Sequence, residues 1–249
     1  MSLEERLKYA AIKARHTNLL RPWYKKWWGI LILLILVIVL VFLIASGIYV
    51  MNKIKEIKQG GTQADAQAQT QAYLAAVNGD GSDYFIGASN PKAVIIEFGD
   101  FACPFCLQSE PGLEQIIKTY PDKVKLVWRD YPLHETSVDL ALGARCAGDQ
   151  GQFWDFHDLL FSHQAQMATS TGADLTAQLK ALAGTLSIDQ TKFATCLDAR
   201  QNLARIKKDY DDGVALQIQG TPTWFINNYP ITGVIPADKF PGLIQGLIK

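Results

Sequence analysis

The sequence predicts an α/β domain with an inserted block of helices, preceded by one membrane-spanning helix. An apolar, β-branched run at residues 93–98 is followed by a helical pattern and a second strand-like run at 123–131. A strand, a helix and a strand at this spacing form a parallel βαβ unit. Helical periodicity then fills about 134–217, before two short strands and a last helix complete the chain.

The N-terminal part contains a segment long enough to cross a lipid bilayer. Residues 29–50 include 22 consecutive side chains without a charge, or roughly 33 Å as a helix. A cleaved signal peptide is the alternative. The run is too long for one, about 28 residues precede it, and only Ala45-Ser46-Gly47 resembles a cleavage site. We therefore expect a permanent single-pass anchor in the cell membrane.

The charges that flank this segment predict its orientation. Basic side chains outnumber acidic ones before the segment, whereas only Lys53, Lys55 and Lys58 follow it closely. By the positive-inside rule, residues 1–28 form a cytoplasmic basic tail and everything after the 29–50 helix is extracytoplasmic. The seven basic residues before the segment are Arg6, Lys8, Lys13, Arg15, Arg21, Lys25 and Lys26.

Charge excludes one class of partner. Seven of the 24 basic and two of the 24 acidic side chains lie in the first 50 residues, which leaves 17 basic and 22 acidic residues in the exported part. That part is mildly acidic and has no basic stripe, so we expect no nucleic-acid partner. The basic tail is explained by its role in orienting the membrane helix and by contact with anionic lipid.

Residues 51–81 are predicted to be a juxtamembrane linker. From 60 onward they are rich in Gln, Ala, Thr and Gly, and the apolar residues Tyr73, Leu74 and Val77 support one short helix at most. The folded domain is then expected to span 82–249.

The remaining elements follow from local patterns. We expect a short strand at 83–86, and a helix that runs from the cysteines at 103 and 106 to about Tyr120 with a kink at Pro111. An Asn227-Asn228 turn predicts a hairpin near the C-terminus. Four apolar helix faces are predicted in the 134–217 block: Val138, Ala141, Leu142 and Cys146; Phe153, Phe156 and Leu160; Phe193, Cys196 and Leu197; and Leu203, Ile206, Tyr210 and Val214.

The motif Cys103-Pro104-Phe105-Cys106 directly follows the turn after the 93–98 strand and opens a helix. Unpaired amides and the positive end of the helix dipole favour a thiolate there, so the pKa of Cys103 is expected to be low and its reactivity toward disulfides high. Half of a zinc site and a structural clip are the alternatives. Because the other cysteines form no second CxxC and the histidines lack ligand spacing, redox chemistry is the stronger interpretation.

The histidines predict no metal site. His157 and His163 are six residues apart and lie on different faces of a helix, and His134 follows Pro132 in a turn. Solvated or capping roles suit these positions better than metal ligation. We assign no metal and no cofactor.

Several motifs together carry a family resemblance. The strand with Glu97, the CxxC motif, the segment Arg145-Cys146-Ala147-Gly148-Asp149-Gln150-Gly151-Gln152-Phe153-Trp154 and the segment Gly220-Thr221-Pro222-Thr223-Trp224-Phe225-Ile226 occur in this order. They resemble the thioredoxin-fold thiol oxidases of the DsbA type, and more closely the membrane-tethered bacterial group. The resemblance covers roughly 82–249. It implies a thioredoxin-like fold with a helical insertion at about 134–217.

The resemblance also implies roles for individual residues. Pro222 is expected to be cis and, with Thr221, to shape the active site beside Pro104 and Phe105. The resemblance makes Glu97 a buried carboxylate that exchanges protons with Cys106. The alternative for Glu97 is a strand-end carboxylate paired with Lys125 or Arg129.

Cys146 and Cys196 are expected to form a structural disulfide. Both lie on apolar helix faces and, by the predicted topology, outside the reducing cytosol. Closing a loop of about 50 residues would stabilise the fold by roughly 4 kcal/mol on the chain-entropy model. Two buried free thiols are the alternative.

The predicted function is an extracytoplasmic thiol:disulfide oxidoreductase that introduces disulfides into reduced or unfolded exported proteins. By resemblance, a quinone-linked membrane protein similar to DsbB or VKOR reoxidises it. A reductase or isomerase of the same fold and a membrane-tethered holdase are the alternatives. Phe105 supplies no charge or hydrogen bond to the thiolate, so a potential between about −120 and −270 mV is expected.

Overall fold

The computed structural model describes residues 2–19, 22–59, 63–79 and 81–248. The chain divides into two compact units, Met1–Gln67 and Ala68–Lys249. The first unit contains helix α1 (Leu3–Leu19), a short 3-10 turn (Trp23–Lys25) and the long helix α2 (Trp27–Gln59).

Helix α2 carries the candidate membrane span. Its stretch Trp27–Lys55 has a mean hydropathy of 3.4 over its most apolar window and is long enough to cross a membrane. The predicted span at 29–50 lies inside this helix. The helix extends beyond the span on both sides because no proline or glycine pair interrupts the sequence there.

Helix α3 (Gln63–Asn78) occupies most of the second half of the predicted linker. Its last turns belong to the second unit, where Val77 is fully buried. The Tyr73 hydroxyl donates to the carbonyl of Asn228, and the Arg129 guanidinium donates to the carbonyl of Ala76. The compact unit that begins at Ala68 includes these turns, since their apolar side chains pack against the sheet.

A five-stranded sheet forms the centre of the second unit. In spatial order it runs β1-β3-β2-β4-β5, with β2 and β3 parallel and every other pair antiparallel. The apolar runs that predicted two buried strands form β2 and β3 in the middle. The strands are β1 (Phe85–Gly87), β2 (Ala93–Gly99), β3 (Val124–Asp130), β4 (Thr223–Ile226) and β5 (Tyr229–Thr232).

Helices cover both faces of the sheet. Helix α4 (Pro104–Thr119) connects β2 to β3, is continuous through Pro111, and packs with the terminal helix α11 (Phe240–Gln245) on one face. The hairpin between β4 and β5 turns at Asn227 and Asn228, which both have positive φ, as the sequence predicts.

The predicted helical block lies between β3 and β4 and has its own apolar core, so the α/β class with an inserted helical subdomain is confirmed. One predicted face is wrong. In the last helix of the block, Leu203, Tyr210 and Val214 are exposed, and the inward face carries Asp209 and Gly213 instead. The helices are α5 (Ser137–Gly148), α6 (Phe153–Ser162), α7 (Gln164–Met167), α8 (Gly172–Ala183), α9 (Gln190–Asp198) and α10 (Leu203–Ala215).

A buried ionic network explains why α10 turns a polar face inward. Asp209 accepts hydrogen bonds from Arg129 Nε at 2.7 Å and from the backbone N–H of Asp130 at 3.1 Å. Arg145 of α5 also binds Asp209 and Asp130. All four side chains are nearly inaccessible to solvent. The network ties two helices of the block to β3.

Candidate active site

The two cysteines of the CxxC motif lie at the first turn of α4. Cys103 is the N-cap residue, Pro104 begins the helix, and Cys106 lies one turn further on. Both are free thiols. The buried strand β2 ends at Gly99, and the N–H of Cys103 donates to the carbonyl of Asp100 at 3.0 Å. The strand therefore holds the start of the helix in place.

Cys103 is enclosed although it lies at the start of a helix. It is 3% exposed, whereas its neighbour Phe105 is 58% exposed. The reason is the loop before β4. The Cys103 Sγ lies 3.3 Å from the carbonyl oxygen of Thr221, and the Thr221–Pro222 peptide bond is cis.

Hydrogen bonding favours the thiolate of Cys103. A hydrogen bond from the Cys106 side chain is the largest effect and outweighs burial, so that the pKa of Cys103 is lowered to about 5. Backbone amides of the first helical turn contribute in the same direction. The thiolate is therefore the main form of Cys103 at neutral pH.

This pKa predicts an unusual pH profile for alkylation. In the reduced chain, the rate at Cys103 should rise as pH passes through about 5 and level off above it, whereas an unperturbed thiol rises near 8.5. Because the folded pKa lies below the unfolded one, the stability that this group contributes to the reduced chain should be lost as pH falls through 5. Iodoacetamide kinetics followed by peptide mass mapping measure the profile, with urea-unfolded chain as the control. A midpoint near 8.5 in the folded chain would contradict it.

Cys106 has the opposite character. It is fully buried, and burial raises its pKa well above the ordinary value, with further contributions from the hydrogen bond to Cys103 and the charge of Glu97. The N–H of Asp100 donates to its sulfur at 3.5 Å. The pair is thus asymmetric, with one thiolate and one shielded thiol.

Glu97 lies in the middle of the sheet, where β2 pairs with Trp128 on one side and Trp224 on the other. It is fully buried, neither carboxylate oxygen has a hydrogen-bond partner among the residues that the structure describes, and burial raises its pKa well above the ordinary value. Ion pairing with Arg129 or Lys125, the alternative from the sequence, is not observed. Arg129 binds Asp209, and Lys125 lies over the ring of Phe85.

Two residues that were not predicted from the sequence form hydrogen bonds with the backbone around the CxxC motif. Asp100 accepts hydrogen bonds from the N–H of Ala102 and the N–H of Leu133, both at 2.8 Å. Gln164 of α7 donates from Nε2 to the carbonyls of Phe101 and Cys103, both at 2.9 Å. Asp100 is adjacent to the motif in sequence, but nothing local indicates Gln164, which is 61 residues from Cys103.

Replacing Gln164 by leucine should destabilise the chain and change the reactivity of Cys103. The variant leaves two buried carbonyls without their donor, which costs about 1–3 kcal/mol for each group. Urea unfolding measures the loss, and alkylation rates report on Cys103. Gln166→Leu, on the exposed side of the same helix, is the matched control. Equal stability of the two variants would show that this contact does not support the site.

The other two cysteines are joined. Cys146 of α5 and Cys196 of α9 form a disulfide with a Cα–Cα distance of 5.8 Å across 50 residues. This is the bridge that the sequence predicts. It lies within the core of the helical block and leaves Cys103 and Cys106 as the two free thiols.

Comparison with known proteins identifies the fold around this site. A family model described as Thioredoxin matches residues 80–246, which is more than half of the chain. The chain belongs to the thioredoxin family. The predicted thioredoxin-like fold with a helical insertion and the resemblance to DsbA-type proteins are therefore confirmed.

Solved structures resemble this thioredoxin-family chain over most of its second unit. BdbD from Bacillus subtilis, in its oxidised form, superposes with a TM-score of 0.60 at 25% identity and covers 67% of this chain and 92% of BdbD. A periplasmic thioredoxin-like protein from Salmonella enterica serovar Typhimurium gives 0.55 at 26% identity, with 71% and 95% coverage. The thiol-disulfide exchange protein alpha-DsbA2 from Wolbachia pipientis gives 0.62 at 20% identity, with 75% and 99% coverage, and shares the fold.

Curated relatives of this thioredoxin-family chain match only in part. The Na(+)/H(+) antiporter NhaA 1 of Salinispora arenicola is 34% identical over 148 residues, which cover 58% of this chain and 22% of the antiporter. NhaA 1 of Mycolicibacterium vanbaalenii is 30% identical over 148 residues, with 58% and 23% coverage. The chain thus spans less than a quarter of the length of these relatives.

Proposed function

We propose that the chain is a membrane-anchored thiol:disulfide oxidase that donates the Cys103–Cys106 disulfide to reduced exported proteins. The observation that carries the proposal is the geometry of the two sulfurs. Cys103 caps a helix beside Thr221 and cis Pro222, and Cys106 is enclosed beneath it. A thiolate stabilised at the first cysteine favours the reduced chain, and a couple whose reduced form is stabilised is a strong oxidant.

The proposed cycle transfers two electrons from the substrate to the chain. A substrate thiolate attacks Cys103 Sγ, the Cys103–Cys106 bond breaks, and the Cys106 sulfur leaves and takes up a proton. A second substrate thiolate then attacks the substrate sulfur of this mixed disulfide and releases Cys103 as a thiolate. The substrate leaves with a new disulfide. Glu97 is the proposed proton donor to Cys106, because its buried carboxyl group interacts electrostatically with that thiol.

Exposed apolar side chains next to the motif support unfolded chains as substrates. Phe105, Leu107 and Leu133 are 58%, 38% and 46% exposed, and the N–H of Leu133 is bound to Asp100 beside the CxxC. Extended or unfolded polypeptides offer apolar side chains that such a surface can cover. A folded protein would present few of them.

The candidate span in α2 supports attachment to the lipid bilayer, and the charge asymmetry around it supports an extracytoplasmic domain. The Salmonella neighbour is described as periplasmic, in agreement with this placement. A membrane protein similar to DsbB or VKOR is the proposed reoxidant. Each turnover leaves the chain reduced, so the chain must pass two electrons to an acceptor before it can act again. Protease added to spheroplasts should digest the domain and spare residues 1–28; the reverse pattern would overturn the orientation.

An oxidation assay tests the function. The full chain in detergent, with Cys103–Cys106 oxidised, is mixed with a reduced peptide that contains two cysteines. We expect one peptide disulfide for each chain reduced, and no turnover by Cys103→Ser. Peptide that stays reduced while the chain suppresses aggregation of an unfolded protein would favour the holdase alternative and contradict the proposal.

A further inference from the structure

A cavity of about 230 Å³ lies between α4 and α6, outside the CxxC site. Glu110 of α4 and Trp154, His157 and Asp158 of α6 line it, above an apolar floor that includes Leu126 of β3. Its walls are unusual because they contain buried polar atoms without a hydrogen-bond partner in the part of the chain that the structure describes. The atoms Glu110 Oε1, Trp154 Nε1 and His157 Nε2 are buried and make no hydrogen bond among the described residues.

These unpartnered atoms favour the binding of a polar ligand in the cavity. Leaving a buried polar group without a partner costs about 1–3 kcal/mol. His157 is itself only 2% exposed, so solvent does not reach it freely. The cost of the three atoms together is a substantial fraction of the stability of a domain, unless a bound species supplies the missing hydrogen bonds.

The donor set identifies the kind of ligand. Side-chain donor atoms of Glu110, His157 and Asp158 lie within 4.8 Å of one another. His157 Nδ1 is 2.9 Å from Asp158 Oδ1, so the imidazole and this carboxylate lie side by side. Two carboxylates offer two negative charges, and the imidazole offers a nitrogen that Ca²⁺ and Mg²⁺ rarely accept.

We propose that Glu110, His157 and Asp158 bind a divalent transition-metal cation, with Zn²⁺ as the representative ion. Bonds of about 2.0–2.2 Å to nitrogen and oxygen can bridge donors that are roughly 4 Å apart, so small side-chain shifts suffice. Three protein ligands leave a coordination position for water, and the unpartnered N–H of Trp154 lines the same cavity. The spacing of the histidines in the sequence does not indicate this site, because Glu110 joins His157 from a different helix.

Zinc titration of the full chain tests this site. The chain is first oxidised so that Cys103 and Cys106 form a disulfide and cannot bind the metal as thiolates. Competition with a chromogenic chelator then measures stoichiometry and affinity. We expect one Zn²⁺ per chain, and at least about a tenfold loss of affinity in each of Glu110→Gln, His157→Gln and Asp158→Asn.

Two controls separate the site from nonspecific binding and from misfolding. His163→Gln and Asp155→Asn alter neighbouring side chains of the same region outside the donor set, and both should leave the affinity unchanged. The Asp158 side chain is 77% exposed, so Asp158→Asn should fold normally even where a core substitution does not. An oxidised chain that binds no Zn²⁺, or whose affinity survives both Asp158→Asn and Glu110→Gln, overturns the proposal.

Discussion

Replacing Cys106 by serine is expected to leave the chain covalently joined to its substrates. The lone Cys103 thiolate still attacks a disulfide in an exported protein or in the reoxidising partner, but no second thiol of the chain can displace the bound sulfur. Mixed disulfides should therefore accumulate in cells. Non-reducing electrophoresis and mass spectrometry of the captured proteins measure them. Oxidase activity should be lost completely.

The matching variant at the other cysteine distinguishes the two roles. Cys103→Ser should also abolish activity but trap nothing, because the remaining thiol of Cys106 is fully buried and its pKa is raised. The double variant Cys103→Ser, Cys106→Ser should behave like Cys103→Ser. If Cys103→Ser were the variant that accumulated complexes, the assigned order of attack would be wrong.

Replacing Asp209 by alanine is expected to cause the largest loss of stability among the predicted single substitutions. The change leaves Arg129 and Arg145 buried without one of their carboxylates, and breaking a buried ion pair in this way costs about 3–5 kcal/mol. The effect should appear as a lower urea midpoint with an unchanged slope. Tryptophan fluorescence can follow unfolding, because Trp128 lies next to Asp130 in the same network.

Asp211→Ala provides the control on the same helix. Asp211 is exposed and pairs with Lys207 one turn earlier, so its loss should change stability by no more than about 0.5 kcal/mol. The comparison removes effects of helix propensity, which are common to both substitutions. A loss below about 1 kcal/mol in Asp209→Ala would show that the network is not needed to hold the helical block on the sheet.

Local signals account for the parts of the fold that the sequence predicts. The apolar runs at β2 and β3 predict buried strands, and an Asn-Asn pair favours the positive φ angles of the last hairpin. The position of the CxxC follows in the same way, since Cys103 directly precedes a proline at the start of a helix. Each of these inferences needs only neighbours in sequence.

The contacts that the sequence does not predict are long-range and polar. Apolar periodicity assigned Tyr210 and Val214 to the core, but the ion pairs of Asp209 decide which face of α10 turns inward. Gln164 reaches the active site from a different helix, and Glu110 meets His157 across a cavity. Sequence periodicity describes which residues avoid water and contains no information about such partners.

The redox equilibrium between the full chain and glutathione tests the oxidase assignment most directly. The reduced and oxidised forms of the Cys103–Cys106 couple are separated after acid quenching and alkylation, across a series of glutathione ratios. Because the Cys103 thiolate is stabilised, we predict a potential at or above about −180 mV, as oxidising as protein disulfide isomerase or more so. A potential of about −270 mV, the value of thioredoxin, would contradict the assignment and favour the reductase alternative.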